Sequence, residues 1–374
     1  MVKKMSKLKE KSGFKKLVVS SFDIQFTTNL QELAKVIGTS KKCLRRAYWI
    51  RRQEVFEDEI MEKRRLVKRT FQYGFRRFIK KEAHKDREIL APHPDVQAAF
   101  KAIQKWLERI SYSHPAAFGF VKKRNPKKAV QALMRRSFLE KEHKHFFRFD
   151  IENCFPSAVM EMVVQALKRM KVDESLIMPL SWFITYYYDG ERRLPQGSSC
   201  SPVILNRVYK PMCRRIDHVC EKHGIKKWAV YADDFNFASD SISEGAKKEL
   251  LGVPAELGFK VKDRKTRDNF GKTTPHILGL TVVRGEIHIN HRRKNKFRRI
   301  LYAAVKHNAY SHEHVLGMVA DIKGIYGLER NWPGWLLKPW QKYQYEMEVR
   351  IWKGMDTSCR RKTSRPSKQL LLRS

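Results

Sequence analysis

The chain has 374 residues, with 78 Lys and Arg against 39 Asp and Glu and a net charge of +39. That length suffices for two or three subdomains, and the surplus charge repels itself unless a polyanion neutralises it. Nucleic acid is therefore the expected partner, with binding that weakens as salt rises; no apolar run of about 18 residues is present, so neither a membrane span nor a membrane partner is expected.

The start, Met1-Val2-Lys3-Lys4-Met5-Ser6-Lys7, leads into no apolar stretch and does not read as a signal peptide. Cys43, Cys154, Cys200, Cys213, Cys220 and Cys359 show no CxxC spacing. They are expected to be reduced thiols of a cytoplasmic protein, binding no zinc and forming no disulfide.

Residues 1–20 are Lys-rich. Leu30 to Ile37, followed by Gly38-Thr39-Ser40, predicts a short helix stopped by glycine and a cap for a second helix from Lys41. A helical extension is preferred here to a helix-turn-helix. Residues 45–85 interleave Arg and Lys with Tyr48, Trp49, Phe56, Phe71, Tyr73, Phe75 and Phe78. Cations reach phosphates and rings stack on bases; the rings serve equally as core beneath a solvated basic face. Residues 87–92 are extended and closed by Pro92. Val96, Phe100, Ile103, Trp106 and Leu107 have helical spacing. Residues 117–121 read as a short strand before the basic loop Lys122-Lys123-Arg124-Asn125-Pro126-Lys127-Lys128, and a helix is expected from 129 to about 138.

Phe146-Phe147-Arg148-Phe149-Asp150-Ile151 reads as a buried strand ending in a carboxylate. Pro156 sits near the start of a helix running to about 170. The small-residue loop at 194–202 opens a long helix over 202–223. In 228–238, apolar residues flank Asp233-Asp234, predicting a hairpin whose tight turn is made by the two Asp, which tolerate positive φ. A helix over 243–257 ends at Gly258. A basic strand and turn span 260–266, and a hairpin around Arg284-Gly285 joins 277–283 to 286–289. Residues 292–340 read as helical, with breaks near 308–311 and 324–334, before a basic Ser-rich tail from 354.

Adjacent carboxylates at a hairpin tip repel each other unless a cation lies between them. A solvated turn gains nothing from that repulsion; a Mg²⁺ site uses it, because Mg²⁺ takes oxygen ligands from one or two carboxylates. Asp150 supplies a third carboxylate. If its strand neighbours the hairpin in one antiparallel sheet, Asp150, Asp233 and Asp234 surround two Mg²⁺ ions, with Mn²⁺ as an alternative, and suit in-line phosphoryl transfer.

The chain resembles a reverse transcriptase in motif order. Phe149-Asp150-Ile151-Glu152-Asn153-Cys154-Phe155-Pro156-Ser157 resembles the first palm motif, Leu194-Pro195-Gln196-Gly197-Ser198-Ser199-Cys200-Ser201-Pro202 the second, and Tyr231-Ala232-Asp233-Asp234 the third. Lys262-Asp263-Arg264-Lys265-Thr266 resembles the fourth, and Ile277-Leu278-Gly279-Leu280 the primer grip. Arg87 to Pro92 and Phe118-Gly119-Phe120-Val121 resemble finger motifs.

The resemblance implies an α+β right-hand polymerase making DNA from RNA. Its expected parts are a helical extension (1–60), fingers (61–145), palm (146–275), primer grip and thumb (276–350) and a tail (351–374). It implies Asp150, Asp233 and Asp234 as catalytic metal ligands, with Ile151 beside them. Phe155 would lie under the sugar and favour deoxynucleotides. Gln196 and Gly197 would let the loop backbone approach the dNTP, and Lys80 or Lys81, Arg87 and Lys265 would meet its phosphates. Lys122, Lys123, Arg124, Arg292, Arg293, Lys296, Arg298 and Arg299 would hold nucleic acid.

Within the family, the layout is most similar to retron enzymes. That implies a structured noncoding RNA as template and primer, a branched msDNA begun from a guanosine 2′-OH, and antiphage defence beside an effector protein. Residues 126–131 lack the retron Asn-Ala-x-x-His element, and Ile277-Leu278-Gly279 stands where Val-Thr-Gly is usual. Another defence-associated reverse transcriptase therefore stays open. An RNA-dependent RNA polymerase and a non-catalytic RNA-binding scaffold are the rivals from other classes. About 25 residues after the thumb are too few for an RNase H domain, so template removal is expected to fall to a host RNase H.

Overall fold

The computed structural model describes residues 30–352 except 63–64, 82–85, 135–142, 189, 272–275, 284–285 and 308. The Lys-rich start, the Arg284-Gly285 turn and the basic tail lie outside the described residues.

Helix α1 (Leu30–Ile37) stops at Gly38, which takes φ 73°, and α2 (Lys41–Arg52) is capped by Ser40, whose Oγ accepts the Cys43 N–H at 3.1 Å. Strands β1 (Val55–Glu62), β2 (Arg65–Gln72), β3 (Phe75–Lys80) and β4 (Arg87–Pro92) then form an antiparallel sheet in that order. The helical extension expected over 1–60 thus ends at Arg52. The acids of β1 face the bases of β2, with Glu57–Lys68 at 2.5 Å and Glu62–Arg69 at 2.8 Å. Opposite charges across strands stabilise this pairing.

Helix α3 (Pro94–Ile110) buries Val96, Phe100, Ile103, Trp106 and Leu107, as their spacing predicts. Residues 118–121 turn rather than extend: Phe120 takes φ 58°, and Asn206 Nδ2 donates to the Gly119 carbonyl at 3.0 Å. Helix α4 (Pro126–Met134) follows, then β5 (His145–Asp150), α5 (Cys154–Ser157), α6 (Met160–Arg169), α7 (Glu174–Ile184), β6 (Tyr186–Tyr188) and β7 (Glu191–Arg193). The single helix expected from Pro156 is broken at Val159, which bridges to Arg193. The helix expected over 202–223 is also two, α8 (Ser201–Val208) and α9 (Lys210–Lys222). Pro211 has no N–H to give the Arg207 carbonyl, and its ring crowds that carbonyl.

Next come β8 (Lys227–Tyr231), β9 (Asp234–Ser239), α10 (Glu244–Glu256), β10 (Arg267–Phe270), β11 (His276–Ile277), β12 (Leu280–Val283) and β13 (Glu286–Ile289). Helices α11 (His291–His307), α12 (His312–Tyr326) and α13 (Gly334–Trp352) close the described chain, with breaks where the sequence places them. Every strand pairing described is antiparallel, in keeping with the α+β expectation.

Two compact units interleave along the chain: residues 1–121, 149–222 and 244–265 form the first, and residues 122–148, 223–243 and 266–374 the second. In the first, Arg51 is wholly buried, and its hydrogen bonds among the described residues go to backbone carbonyls. Its Nε donates to Phe183 O at 3.3 Å, and its Nη atoms donate to Tyr73 O and Thr185 O. The guanidinium lies 4.7 Å over the Phe75 ring and 5.5 Å over Trp182. Burial holds its pKa well below the usual arginine value. One side chain thereby closes the β2–β3 turn and the end of α7.

The second unit holds a sheet in the order β10-β5-β9-β8, with Phe147 packed 6.0 Å from Phe237. Its other sheet runs β11-β12-β13, and Leu278 and Gly279 supply the positive φ of the first turn. The five described cysteines are free, and burial pushes the Cys200 thiol up to about 12, so it stays protonated and unreactive. Among the described residues, no helix is long and apolar enough to cross a membrane.

Candidate active site

In the first unit, Asp150 is buried at the end of β5 and its backbone is clamped. Lys262 N donates to Asp150 O at 2.8 Å, and Glu152 N donates to Lys260 O at 2.7 Å. Ile151 and Val261 between them form an isolated antiparallel bridge. Those flanking bonds make it a non-hydrogen-bonded pair, so the Ile151 carbonyl turns away from Val261. Lys265 Nζ, from the short 3₁₀ turn Asp263–Lys265, donates to Asp150 Oδ2. The lysine expected to meet phosphates is therefore already neutralising the first candidate metal ligand.

Asn153 follows in the left-handed conformation, φ 44° and ψ 45°, and launches α5. That helix presents Phe155, half-buried, 5.9 Å from the Phe120 ring. Arg193 Nη1 donates to Pro156 O at 2.8 Å and fixes α5 to β7. Lys80 and Arg87 are direct cross-strand partners on β3 and β4. Lys81 is exposed just beyond β3.

The Gln196-Gly197 loop is laced to β4, with Leu90 N donating to Gln196 O at 2.8 Å. Gly197 takes φ +132°, and a Cβ there would stand 2.6 Å from the Leu90 carbonyl oxygen. The glycine thus has a packing reason besides the expected approach of a nucleotide: only glycine lets this loop lie against β4.

In the second unit, Tyr231 pairs directly with Asp234, so the two-residue turn is Ala232-Asp233 rather than Asp233-Asp234. The positive φ, 59°, falls on Ala232 and on neither Asp. Alanine gains nothing from that conformation, and such backbone strain gathers at functional sites. Asp234 opens β9, where Asn236 Nδ2 donates to its Oδ1 at 3.0 Å and its backbone oxygen at 3.1 Å. Burial raises the pKa of Tyr231; Asp321 raises it further and Arg293 opposes.

Among the expected nucleic-acid contacts, Lys122 and Lys123 are exposed in a turn. Lys128 Nζ holds that turn through Lys123 O at 2.7 Å. Arg124 lies beside it, half-buried. On α11, Phe297, Ile300, Leu301 and Ala304 are buried, while Arg292, Lys296 and Arg299 form an exposed stripe. Arg298, Arg299, Tyr302, Lys306, Lys338 and Lys342 line an open groove of about 930 Å³ between α11 and α13. Arg293 is turned inward instead, paired with Asp321 and 5.8 Å over the Phe297 ring. Sequence reasoning missed Asn236 and the cations of α13; an amide two residues past a carboxylate on the same strand face was the available signal for the first.

Among the described residues, no group of three or more His, Cys, Asp or Glu side chains stands ready to hold a metal. The donors at these positions are all oxygen: three carboxylates and the Ile151 carbonyl. Mg²⁺ needs only one or two protein carboxylates and completes its shell with water and phosphate, so the donor chemistry fits.

The Retron Mx162 reverse transcriptase of Myxococcus xanthus is 24% identical over 227 residues, covering 52% of this chain and 44% of that protein. The Retron Ec83 reverse transcriptase of Escherichia coli is 27% identical over 173 residues, covering 45% and 51%. The chain thus spans about half the length of these curated relatives. Among solved structures, telomerase from Candida albicans with a fragment of telomeric RNA aligns over 76% of this chain and 61% of that one, at 11% identity and a TM-score of 0.45. The family model described as "Reverse transcriptase (RNA-dependent DNA polymerase)" matches residues 79–282, more than half of the sequence and the whole run from Lys80 through the Asp233-Asp234 hairpin. The chain therefore belongs to the reverse transcriptase family.

Proposed function

We propose that this protein is an RNA-directed DNA polymerase of the retron type. The observation that carries the reading is the hairpin that sets Asp233 and Asp234 side by side behind a strained Ala232. Asp150, Asp233, Asp234 and the Ile151 carbonyl would hold two Mg²⁺ ions, with Mn²⁺ as a substitute. When bound, those ions supply charge for in-line nucleotidyl transfer. Lys80 and Arg87 bind the triphosphate of the dNTP, and Lys265 moves from Asp150 to the phosphates. The Phe155 ring closes the space that a ribose 2′-hydroxyl would need. Lys122, Lys123, Arg124 and the exposed α11 cations hold the template-primer.

Wild-type protein should extend a primer on RNA with dNTPs and not with NTPs. Phe155→Val should raise ribonucleotide incorporation about a hundredfold, the scale of discrimination one shape contact can supply. A wild type that prefers NTPs would make the protein an RNA polymerase instead.

In this reading the substrate is a structured noncoding RNA, copied into msDNA from a guanosine 2′-OH. The product serves antiphage defence with an effector protein, and a host RNase H trims the template. The likeness to two retron enzymes supports that branch. Sequencing nucleic acid that copurifies with the protein should recover DNA joined 2′–5′ to RNA. Linear DNA alone would favour another defence-associated reverse transcriptase, the branch suggested by Ile277-Leu278-Gly279.

A further inference from the structure

Asn236 is an odd residue for the middle of a buried strand. It lies on β9 with Phe235 and Phe237, both buried on the opposite face, and is itself only 2% exposed. Asn is depleted in strands, and a buried amide is costly unless its bonds are met. Here they are met on one side only. Nδ2 donates at 3.0 Å to Asp234 Oδ1 and at 3.1 Å to Asp234 O, while Oδ1 is buried with no partner among the described residues. A flipped amide would set its oxygen against the carboxylate, so the nitrogen must face Asp234. Packing alone would select Val or Leu here.

Resting on the two-metal reading above, we infer that Asn236 is a positioning residue for Asp234. Its amide engages one carboxylate oxygen and the backbone together, fixing the side-chain torsion and so the direction in which the carboxylate faces a cation. The period of two along a strand puts both side chains on the same face. Supporting partners of this kind commonly change metal affinity by 10–100-fold when removed. The strained Ala232 fixes the backbone on one side of the pair, and Asn236 fixes the carboxylate on the other.

The test is a titration of the full chain with Mn²⁺, without RNA or nucleotide, reading free Mn²⁺ by electron paramagnetic resonance. Asn236→Leu keeps the side-chain volume and removes the donors. It should bind Mn²⁺ about tenfold more weakly and melt at or above the wild-type temperature, because the orphaned oxygen is gone. In primer extension the metal concentration for half-maximal rate should rise, while the rate at saturating metal is largely regained. Asn236→Ser is the second variant if Leu lowers the melting temperature, and it should show the same loss of affinity. Wild-type Mn²⁺ affinity in either folded variant would overturn the inference and leave Asn236 as strand filling. Wild-type protein that binds no Mn²⁺ would overturn the two-metal reading itself.

Discussion

Asp233→Asn should lower DNA synthesis at least about a hundredfold, the scale for removing one preorganised charge from a reacting centre, and leave RNA affinity within a few fold. The substitution keeps shape and removes one negative charge from the Ala232-Asp233 turn. RNA affinity rests on many phosphate contacts in a chain of net charge +39, and one added unit of charge barely alters it. Primer extension and filter binding on the same preparation separate the two effects. Equal loss of both would mean that the hairpin is a structural turn and the protein an RNA-binding scaffold.

Arg51→Met should be the most damaging single change away from the candidate active site, costing about 2–5 kcal/mol, because carbonyls around it lose a donor at roughly 1–3 kcal/mol for each one left unmet. The side chain bonds to carbonyls of Tyr73, Phe183 and Thr185, and all three lose that donor. Methionine fills the volume between Phe75 and Trp182 but donates nothing. Arg51→Lys should rescue only in part, because an ammonium is a point donor and cannot span three carbonyls as a planar fork does. Chemical denaturation followed by tryptophan fluorescence measures the loss. An unchanged midpoint for Arg51→Met would show that water or backbone movement replaces the guanidinium.

Local signals in the sequence predicted local structure well. Gly38 and Ser40 mark the α1–α2 break, the 96–107 periodicity marks α3, and the breaks near 308 and 324 separate the last helices. Signals that depend on distant partners failed. The β1–β4 sheet was hidden because acids on one strand answer bases on the next, and a mixed-charge run looks like a solvated face until the pairing is known. The Asp-Asp pair was legible, but its register was not: Asp tolerates positive φ better than Ala, and the fold places the strain on Ala232 regardless. At Gly197 the sequence offered only the nucleotide approach, because Leu90, more than a hundred residues earlier in the chain, is invisible as the neighbour that also requires a glycine. Arg293 looked like its basic neighbours until Asp321 claimed it.

The interleaving of the two units bears on how the chain is made. The polypeptide passes from one unit to the other five times between Val121 and Thr266. A ribosome emitting this chain finishes the first unit only at Lys265, after two segments of the second have emerged without most of their partners. Neither unit can therefore mature as an N-terminal domain ahead of the other, and contacts distant in sequence must close late and slowly. No terminal truncation isolates either unit, so a shortened chain exposes unpaired strands and apolar helix faces during synthesis. Expression yield should thus depend on chaperones and temperature for the whole chain at once.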